Sequence, residues 1–363
     1  MRRLFAVVGI VAANLPDLDV ALTGLSPDPL GNLLHHRGYT HTAVGLAVQA
    51  VVLGALLWLW PAVRRLAGGE RRRLATLVVL GLASHLALDS WNVYGIHPWA
   101  PFDARWFYGD AVFIFEPWLW LLLAGALAAN AGEKTRAALA VGLAVIVSAL
   151  GAFGVVAPGA VATLALGAVL WAMGLRALCP RARVPAALAA GIAFVATSFV
   201  LAQRARVQTV ALLPARERIV DVVRSPHPAA PLCWSVIAVT TRDDAYVLRR
   251  GTLSLAPGLQ APARCGLHAA ARLPTLRAQG AMLWTDEIVQ PRERLRALER
   301  DDCWVRAWLQ FARAPVEGGG RVFDLRFETL PRDNFTALPL GRAGCPANVT
   351  RWTPPRADLL APR

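Results

Sequence analysis

Three short stretches of this chain gather the residue types that hold metal ions and move protons. They are Pro16-Asp17-Leu18-Asp19, His35-His36-Arg37-Gly38-Tyr39-Thr40-His41 and Ser84-His85-Leu86-Ala87-Leu88-Asp89. Imidazole is the commonest ligand for zinc and related divalent ions, and carboxylates join it in mixed sites. In the first stretch two carboxylates two positions apart can reach one site if a helix ends there and the chain turns. In the second, three histidines fall within seven residues, and a turn at Gly38 lets His36 and His41 converge. In the third, His85 and Asp89 stand at i and i+4 and share a helical face. Each stretch alone has a plainer reading: solvated charges at a helix stop, an interfacial basic belt, a structural His–Asp hydrogen bond. Delivered to one place, they make a divalent metal site the better reading. The foremost ligands are then Asp19, His36, His41, His85 and Asp89, with Asp17 and Asp110 behind them. Zn²⁺ suits such a set best and Mn²⁺ next. An open coordination position would hold a water and bring its pKa toward neutrality. Having more ligands than one ion needs points to a two-metal site suited to phosphoester hydrolysis. Arg37 or Arg105 would neutralise a phosphate, and Arg37 and Asn92 would orient substrate or water, with Asp110 a further catalytic candidate.

The elements that must position these residues lie in a membrane. Of the 363 residues 56% are hydrophobic and only 17% charged, against about 25% charged in an ordinary soluble domain. The formal charge of +14 does not indicate a nucleic-acid partner, because the arginines sit in short groups between apolar runs and form no basic face or tail. Apolar runs cover 41–63, 74–91, 111–131, 137–157, 160–178 and 184–202. Most approach the roughly 20 residues a helix needs to cross the hydrocarbon layer, where unpaired backbone groups are not tolerated. A first run, 4–15, is too short to span unless its flanks lie in the interface. A cleaved signal peptide is rejected there, because Pro-Asp-Leu-Asp makes a poor cleavage site. The arginines set the orientation. Arg2 and Arg3, Arg64 to Arg73, Lys134 with Arg136, and Arg176 to Arg183 all fall on one side if those loops are cytoplasmic. The result is seven membrane segments, with 16–40, 92–110 and everything after 202 outside. Five of the seven histidines (His35, His36, His41, His85 and His97) then gather at the outer face.

The expected architecture is an all-α polytopic membrane domain, 1–204, followed by a smaller mixed, β-rich soluble domain, 205–363. In the latter, 235–241 and 245–255 read as strands around an Arg242-Asp243-Asp244 turn. A short helix is expected at 292–300, a strand or helix at 304–312, and a strand at 321–328 after three glycines. Cys179 lies at a cytoplasmic helix end. The other four cysteines, Cys233, Cys265, Cys303 and Cys345, are in the tail, where an even number in an exported domain favours two disulfides in one of three pairings.

The motif set resembles the YdjM-type inner-membrane proteins. The resemblance rests on Asp17-x-Asp19, His36-Arg37-Gly38-x-Thr40-His41 and Ser84-His85-x-x-x-Asp89. It extends through Asp89-Ser90-Trp91-Asn92-Val93-Tyr94-Gly95, Pro101-Phe102 and Gly109-Asp110-Ala111-Val112-Phe113-Ile114, covering 10–120. The segment 311–335, with Asp324-Leu325-Arg326-Phe327, is similar to a subgroup carrying an extramembrane C-terminal domain. The resemblance implies a membrane-bound metal-dependent hydrolase in a bacterial inner membrane. Two departures stand out. Family members begin with another helix bearing an Asn-x-Thr-His-like motif, which is absent here; with the short 4–15 run, this implies a late start or a truncated chain. Glu116 stands where the family more often has Asp.

Three functional readings follow. The first is a metal-dependent hydrolase at the outer face, acting on a lipid or other membrane-proximal phosphoester. The second is a non-catalytic membrane protein with a structural His/Asp cluster and a partner-binding tail. The third, a transporter, is the weakest, because 137–202 carries almost no polar group along a path through the bilayer. The bilayer is the expected partner, nucleic acid is not, and no protein partner is readable.

Overall fold

A computed structural model describes residues 2–152, 156, 158–265, 277–327 and 334–361. The first half is helical. Helix α1, Arg2–Asn14, runs into a 3₁₀ stretch, Leu15–Leu25. Pro16 has no N–H and fixes its own φ, which breaks the α ladder and leaves tighter turns. The short apolar run at 4–15 is therefore part of a 23-residue apolar helical stretch, Arg3–Leu25. A short helix α2, Leu30–His35, and a 3₁₀ turn, Tyr39–His41, lead into α3, Ala43–Leu59. Thr42 caps α3 by accepting the Gly45 N–H at 2.8 Å. The α2 stretch and α3 are bent by 67°, so together they make a broken span or a re-entrant element. After the single turn α4, Pro61–Arg64, the long helix α5, Gly68–Ser90, returns across.

Helix α5 packs on α1 around Val8, Ala12, Leu74, Val78 and Leu82. The contact depends on small residues: a Cβ at Gly81 would lie 2.9 Å from the Ala12 Cβ and 3.2 Å from the Ala13 nitrogen. Lipid-embedded helices approach closely only where such residues face each other.

Four further helices follow: α6, Pro117–Asn130; α7, Glu133–Ala152; α8, Pro158–Ala177; and α9, Pro180–Ala211. Among the described residues four stretches are long and apolar enough to cross a membrane, or five if the bent pair counts as one span. Helix α6, with 14 residues, is shorter. A count of seven depends on it and on α7, whose expected run ends at Ala157, outside the described residues.

The remainder is rich in antiparallel sheet. Strands β1, Arg218–His227; β2, Ala230–Arg242; β3, Ala245–Ser254; β4, Arg277–Gln279; and β5, Met282–Pro291, form one sheet in the order β1-β2-β3-β5-β4. The turn expected at 242–244 joins β2 to β3, with Asp243 at φ +51°. Helices α10, Arg292–Asp301, and α11, Cys303–Trp308, come next. Asp302 caps α11 by accepting the Trp304 and Val305 amides, which settles the 304–312 segment as helix at its start. Strands β6, Pro315–Gly318; β7, Arg321–Asp324; and β8, Leu338–Pro339, form a small second sheet, and a last turn, α12, is Ala357–Leu360. Strand β7 stops at Asp324 and not at Glu328, which lies outside the described residues. The Asp324 carboxylate accepts the Arg326 and Arg313 amides and turns the chain. Cys233 is bonded to Cys265 and Cys303 to Cys345, and Cys179 is free.

Packing groups the chain into two compact units. One comprises Met1–Tyr108, Asp244–Tyr246 and Gln290–Arg363; the other comprises Gly109–Asp243 and Val247–Val289. The change in composition near residue 204 marks the end of the apolar spans, whereas the packing joins the last seventy residues to the first hundred.

Candidate metal centre

Within the first unit the three stretches meet. Helix α5 presents His85 and Asp89 one turn apart. The 3₁₀ turn before α3 carries His41, fully buried, and the 3₁₀ stretch after α1 carries Asp17 and Asp19. The Nε2 atoms of His41 and His85 lie 3.1 Å apart. Asp17 Oδ1 is 3.4 Å from each of them. Asp89 Oδ2 is 3.2 Å from His41 Nε2 and 3.5 Å from His85 Nε2. Asp17, His41, His85 and Asp89 thus form one group able to hold an ion, and Asp17, Asp19 and His36 form a second that shares Asp17.

The hydrogen bonds behind the imidazoles decide what faces the centre. His85 Nδ1 lies 2.6 Å from the Ala13 carbonyl oxygen. A carbonyl only accepts, so Nδ1 carries a proton, and in the neutral ring Nε2 presents a lone pair. His41 Nδ1 lies 3.1 Å from Asp19 Oδ2 and 3.0 Å from Thr40 Oγ1. Thr40 donates its own proton to Asp19 Oδ2 at 2.7 Å, so His41 too is a donor at Nδ1 and, in the neutral ring that a metal requires, a lone pair at Nε2. Two lone pairs and two carboxylate oxygens therefore point at one small volume. Asp89 Oδ2, buried there, accepts no hydrogen bond among the described residues. Four electron-rich atoms repel one another unless a cation, or a proton shared between them, lies in the middle. Zinc bonds of about 2.0–2.2 Å in a tetrahedron separate the ligand atoms by about 3.3–3.6 Å, close to the distances observed. By donor chemistry and spacing, the residues fit a divalent ion.

The remaining residues of the three stretches support these four. Asp19 accepts from His36 Nδ1 at 2.9 Å, from the Arg37 N–H at 2.9 Å and from Thr40 and His41. It thereby ties the second stretch to the first and sets the His41 ring. Arg37 adopts φ +56°, a left-handed conformation disfavoured for side chains other than glycine. That conformation turns its amide to Asp19 while its guanidinium reaches Asp89 Oδ1 at 2.7 Å and Asn92 Oδ1 at 3.1 Å. Sequence spacing indicated an anion-binding Arg37; here its guanidinium is already engaged with Asp89 and Asn92. The contact of α1 with α5 at Gly81 is what brings the Ala13 carbonyl to His85.

The other candidates are not members of either metal group. Asp110 belongs to the second unit, 3.6 Å from Arg224. Arg105 pairs with its neighbour Asp103 on the surface. His35 bonds Ser26 Oγ at 2.9 Å and the Asn348 carbonyl at 3.1 Å. His97 stacks on Trp352 and meets a tilted Trp106, with ring centroids 3.9 and 3.8 Å away. Thr40 and Tyr94 stand in the motifs that carry the resemblance but had no role assigned there, and the Ala13 carbonyl has no sequence signal of its own.

His97 carries a pH prediction. Burial pushes its imidazole down from the ordinary 6.5 to about 3. As pH falls below about 6.5 the unfolded chain takes the proton first, so stability is full above that pH and declines until about 3. Acidification from pH 7 to 5 should remove about 2 kcal/mol through this residue. Unfolding midpoints in detergent across that range should show the slope, and His97→Phe should flatten it; an unchanged slope would mean His97 is not held neutral.

Residues 2–160 match the model of the YdjM inner membrane protein family, a stretch that contains every residue of both metal groups. The uncharacterised protein YfhP of Bacillus subtilis (strain 168) is 24% identical over 128 residues, 35% of this chain and 37% of that protein. The chain thus spans little more than a third of the length of that curated relative. No solved structure matches it.

Proposed function

We propose that this protein is a membrane-bound, metal-dependent hydrolase acting on a membrane-proximal phosphoester. The observation that carries the reading is the convergence of the His41 and His85 Nε2 lone pairs with Asp17 Oδ1 and the otherwise unsatisfied Asp89 Oδ2. These four residues would hold the ion, Zn²⁺ first and Mn²⁺ second, and the second group is where another ion would sit. A bound divalent ion would polarise a phosphoryl oxygen and acidify water at the site.

The chain's own residues supply the rest. Asp19 and the Ala13 carbonyl keep both Nδ1 protons in place, so the Nε2 atoms stay available. Arg37, itself held by Asn92, keeps Asp89 in position, and in this reading neither binds substrate directly. Asp17 is the exposed member of the set, with 47% of its side chain accessible, so substrate approaches on its side. Its neighbours Leu18, Val20, Leu22 and Leu25 are exposed as well, which supports an amphiphilic substrate arriving through the membrane interface. The two disulfides support an oxidising, extracytoplasmic location for the 205–363 portion.

A second reading has an observation of its own. Four protein donors complete a tetrahedron, as in structural zinc sites, whereas catalytic sites keep a position open. The cluster would then only tie α1, α3 and α5 together. Turnover separates the two. Detergent-purified protein loaded with zinc should hydrolyse a short-chain phosphatidic acid or an aryl phosphodiester, and Asp17→Asn should reduce the rate about a hundredfold or more. Bound zinc with no turnover of either ester would favour the structural reading.

A further inference from the structure

The tail bears directly on the residues that support the centre. Arg326 is completely buried beside Asp324, whose Oδ2 accepts its Nη2 at 2.8 Å. Its Nη1 reaches past the tail and donates to the Val93 carbonyl at 2.9 Å and, more weakly, to that of Tyr94 at 3.4 Å. These carbonyls lie just after Asn92, whose Oδ1 accepts the Tyr94 N–H at 2.9 Å and the Arg37 Nη1 at 3.1 Å. Arg37 in turn holds Asp89. An aromatic path runs in parallel. The Tyr94 ring packs on Phe311 and Phe327 of the tail at 5.1 and 5.8 Å, and on its other side meets His36 at 6.0 Å and the Arg37 guanidinium at 4.9 Å. A second anchor lies nearby, where Trp352 Nε1 donates to the Leu34 carbonyl at 2.9 Å.

A guanidinium taken fully out of water needs all its contacts to be favourable. Arg326 meets this need with one carboxylate and with main-chain carbonyls, and the farthest of these belong to the loop that fixes Asn92. We infer that Arg326 is a positioning residue: through Val93, Tyr94 and Asn92 it sets the Arg37 guanidinium, and thus the orientation of Asp89 in the metal centre. The tail is then part of the centre's supporting shell. The functional consequence rests on the metal reading, but the positioning does not.

Two readouts in the full chain test it. The first is hydrogen exchange by mass spectrometry without added metal. Arg326→Gln should speed exchange in peptides covering 34–41 and 89–96, where the Arg37 and Tyr94 amides are held by Asp19 and Asn92. The second is affinity for Co²⁺, read from its visible absorption band. It should fall by about tenfold or more, with the band shifted, and Arg326→Lys should recover part of the loss. Because Arg326→Gln leaves the buried Asp324 without the Arg326 guanidinium, the neutral pair Asp324→Asn/Arg326→Gln is measured beside it. Tyr246→Phe is the control, since it removes a buried hydroxyl bonded to Gln290 and Pro315 in the same unit and lies off this path. Faster exchange confined to the tail in both Arg326 variants, or an equal response in Tyr246→Phe, overturns the inference. Wild-type protein that takes up no Co²⁺ sinks the metal reading alone, and exchange still decides the positioning.

Discussion

Detergent-purified wild-type protein should carry about one divalent ion per chain, and His41→Ala/His85→Ala should carry none. The expected loss is large because the substitutions remove both nitrogen donors and leave two carboxylates, one of them half exposed. Partners of metal ligands alone are worth about 10–100-fold in affinity, so deleting two ligands should exceed that range well beyond detection. Metal analysis reads the content directly. Titration in two buffers of different ionisation enthalpy adds a check, because an ion displacing a proton shared among these groups releases it. Two ions per chain would place the second at Asp17, Asp19 and His36. No ion in the wild type would leave the four atoms bridged by protons, a His–Asp cluster that joins helices, and the hydrolase reading would fall.

Arg37→Met should destabilise the metal-free protein by about 3–5 kcal/mol, the usual consequence of removing one partner from a buried ion pair. The Arg37 and Asp89 side chains are 5% and 15% exposed, and no second cation of the chain is bonded to Asp89 Oδ1 among the described residues. Asn92 loses a donor as well. The shift should be visible in the unfolding midpoint in detergent, and saturating zinc should recover part of it, because a bound ion compensates the Asp89 charge. Arg37→Lys keeps a charge but loses the fork that spans Asp89 and Asn92, so it should fall between the two. Arg37→Met with wild-type stability would show that the pair is not formed, and would remove the link through which Arg326 acts.

The ingredients of the site were legible in the sequence because two of its three parts are local. A helical i, i+4 spacing puts His85 and Asp89 on one face whatever surrounds them. The run from His35 to His41 must turn at or near Gly38. Membrane character was equally legible, since apolar run length and arginine placement are properties of the linear sequence, and the even number of tail cysteines pointed to two disulfides, though not to which cysteines pair. The β2–β3 hairpin followed from its turn residues. Strands β1, β4, β5, β6 and β8 did not: β4, β6 and β8 are short and β1 is an edge, while β5 is internal and is defined by its partners β3 and β4.

What only the tertiary structure decided is where each residue stands and what it touches. Asp17 and Asp19 are two apart, and nothing in their types says which faces the Nε2 atoms. The break of the α ladder at Pro16 turns Asp17 toward them and sends Asp19 behind His41, among the donors from His36, Arg37 and Thr40. Arg37 was read as an anion site; the fold gives it a left-handed backbone and engages its guanidinium with Asp89 and Asn92. The Ala13 carbonyl that sets the His85 tautomer comes from a residue with no reactive side chain, brought close by Gly81, seventy positions along the chain. The sequence by itself determined which chemistry was available and that it lies with membrane helices, because residue type and local spacing suffice for that. Which atoms are lone pairs, which carboxylate is open and which part of the tail supports them depend on contacts between distant segments, and only the folded packing supplies those.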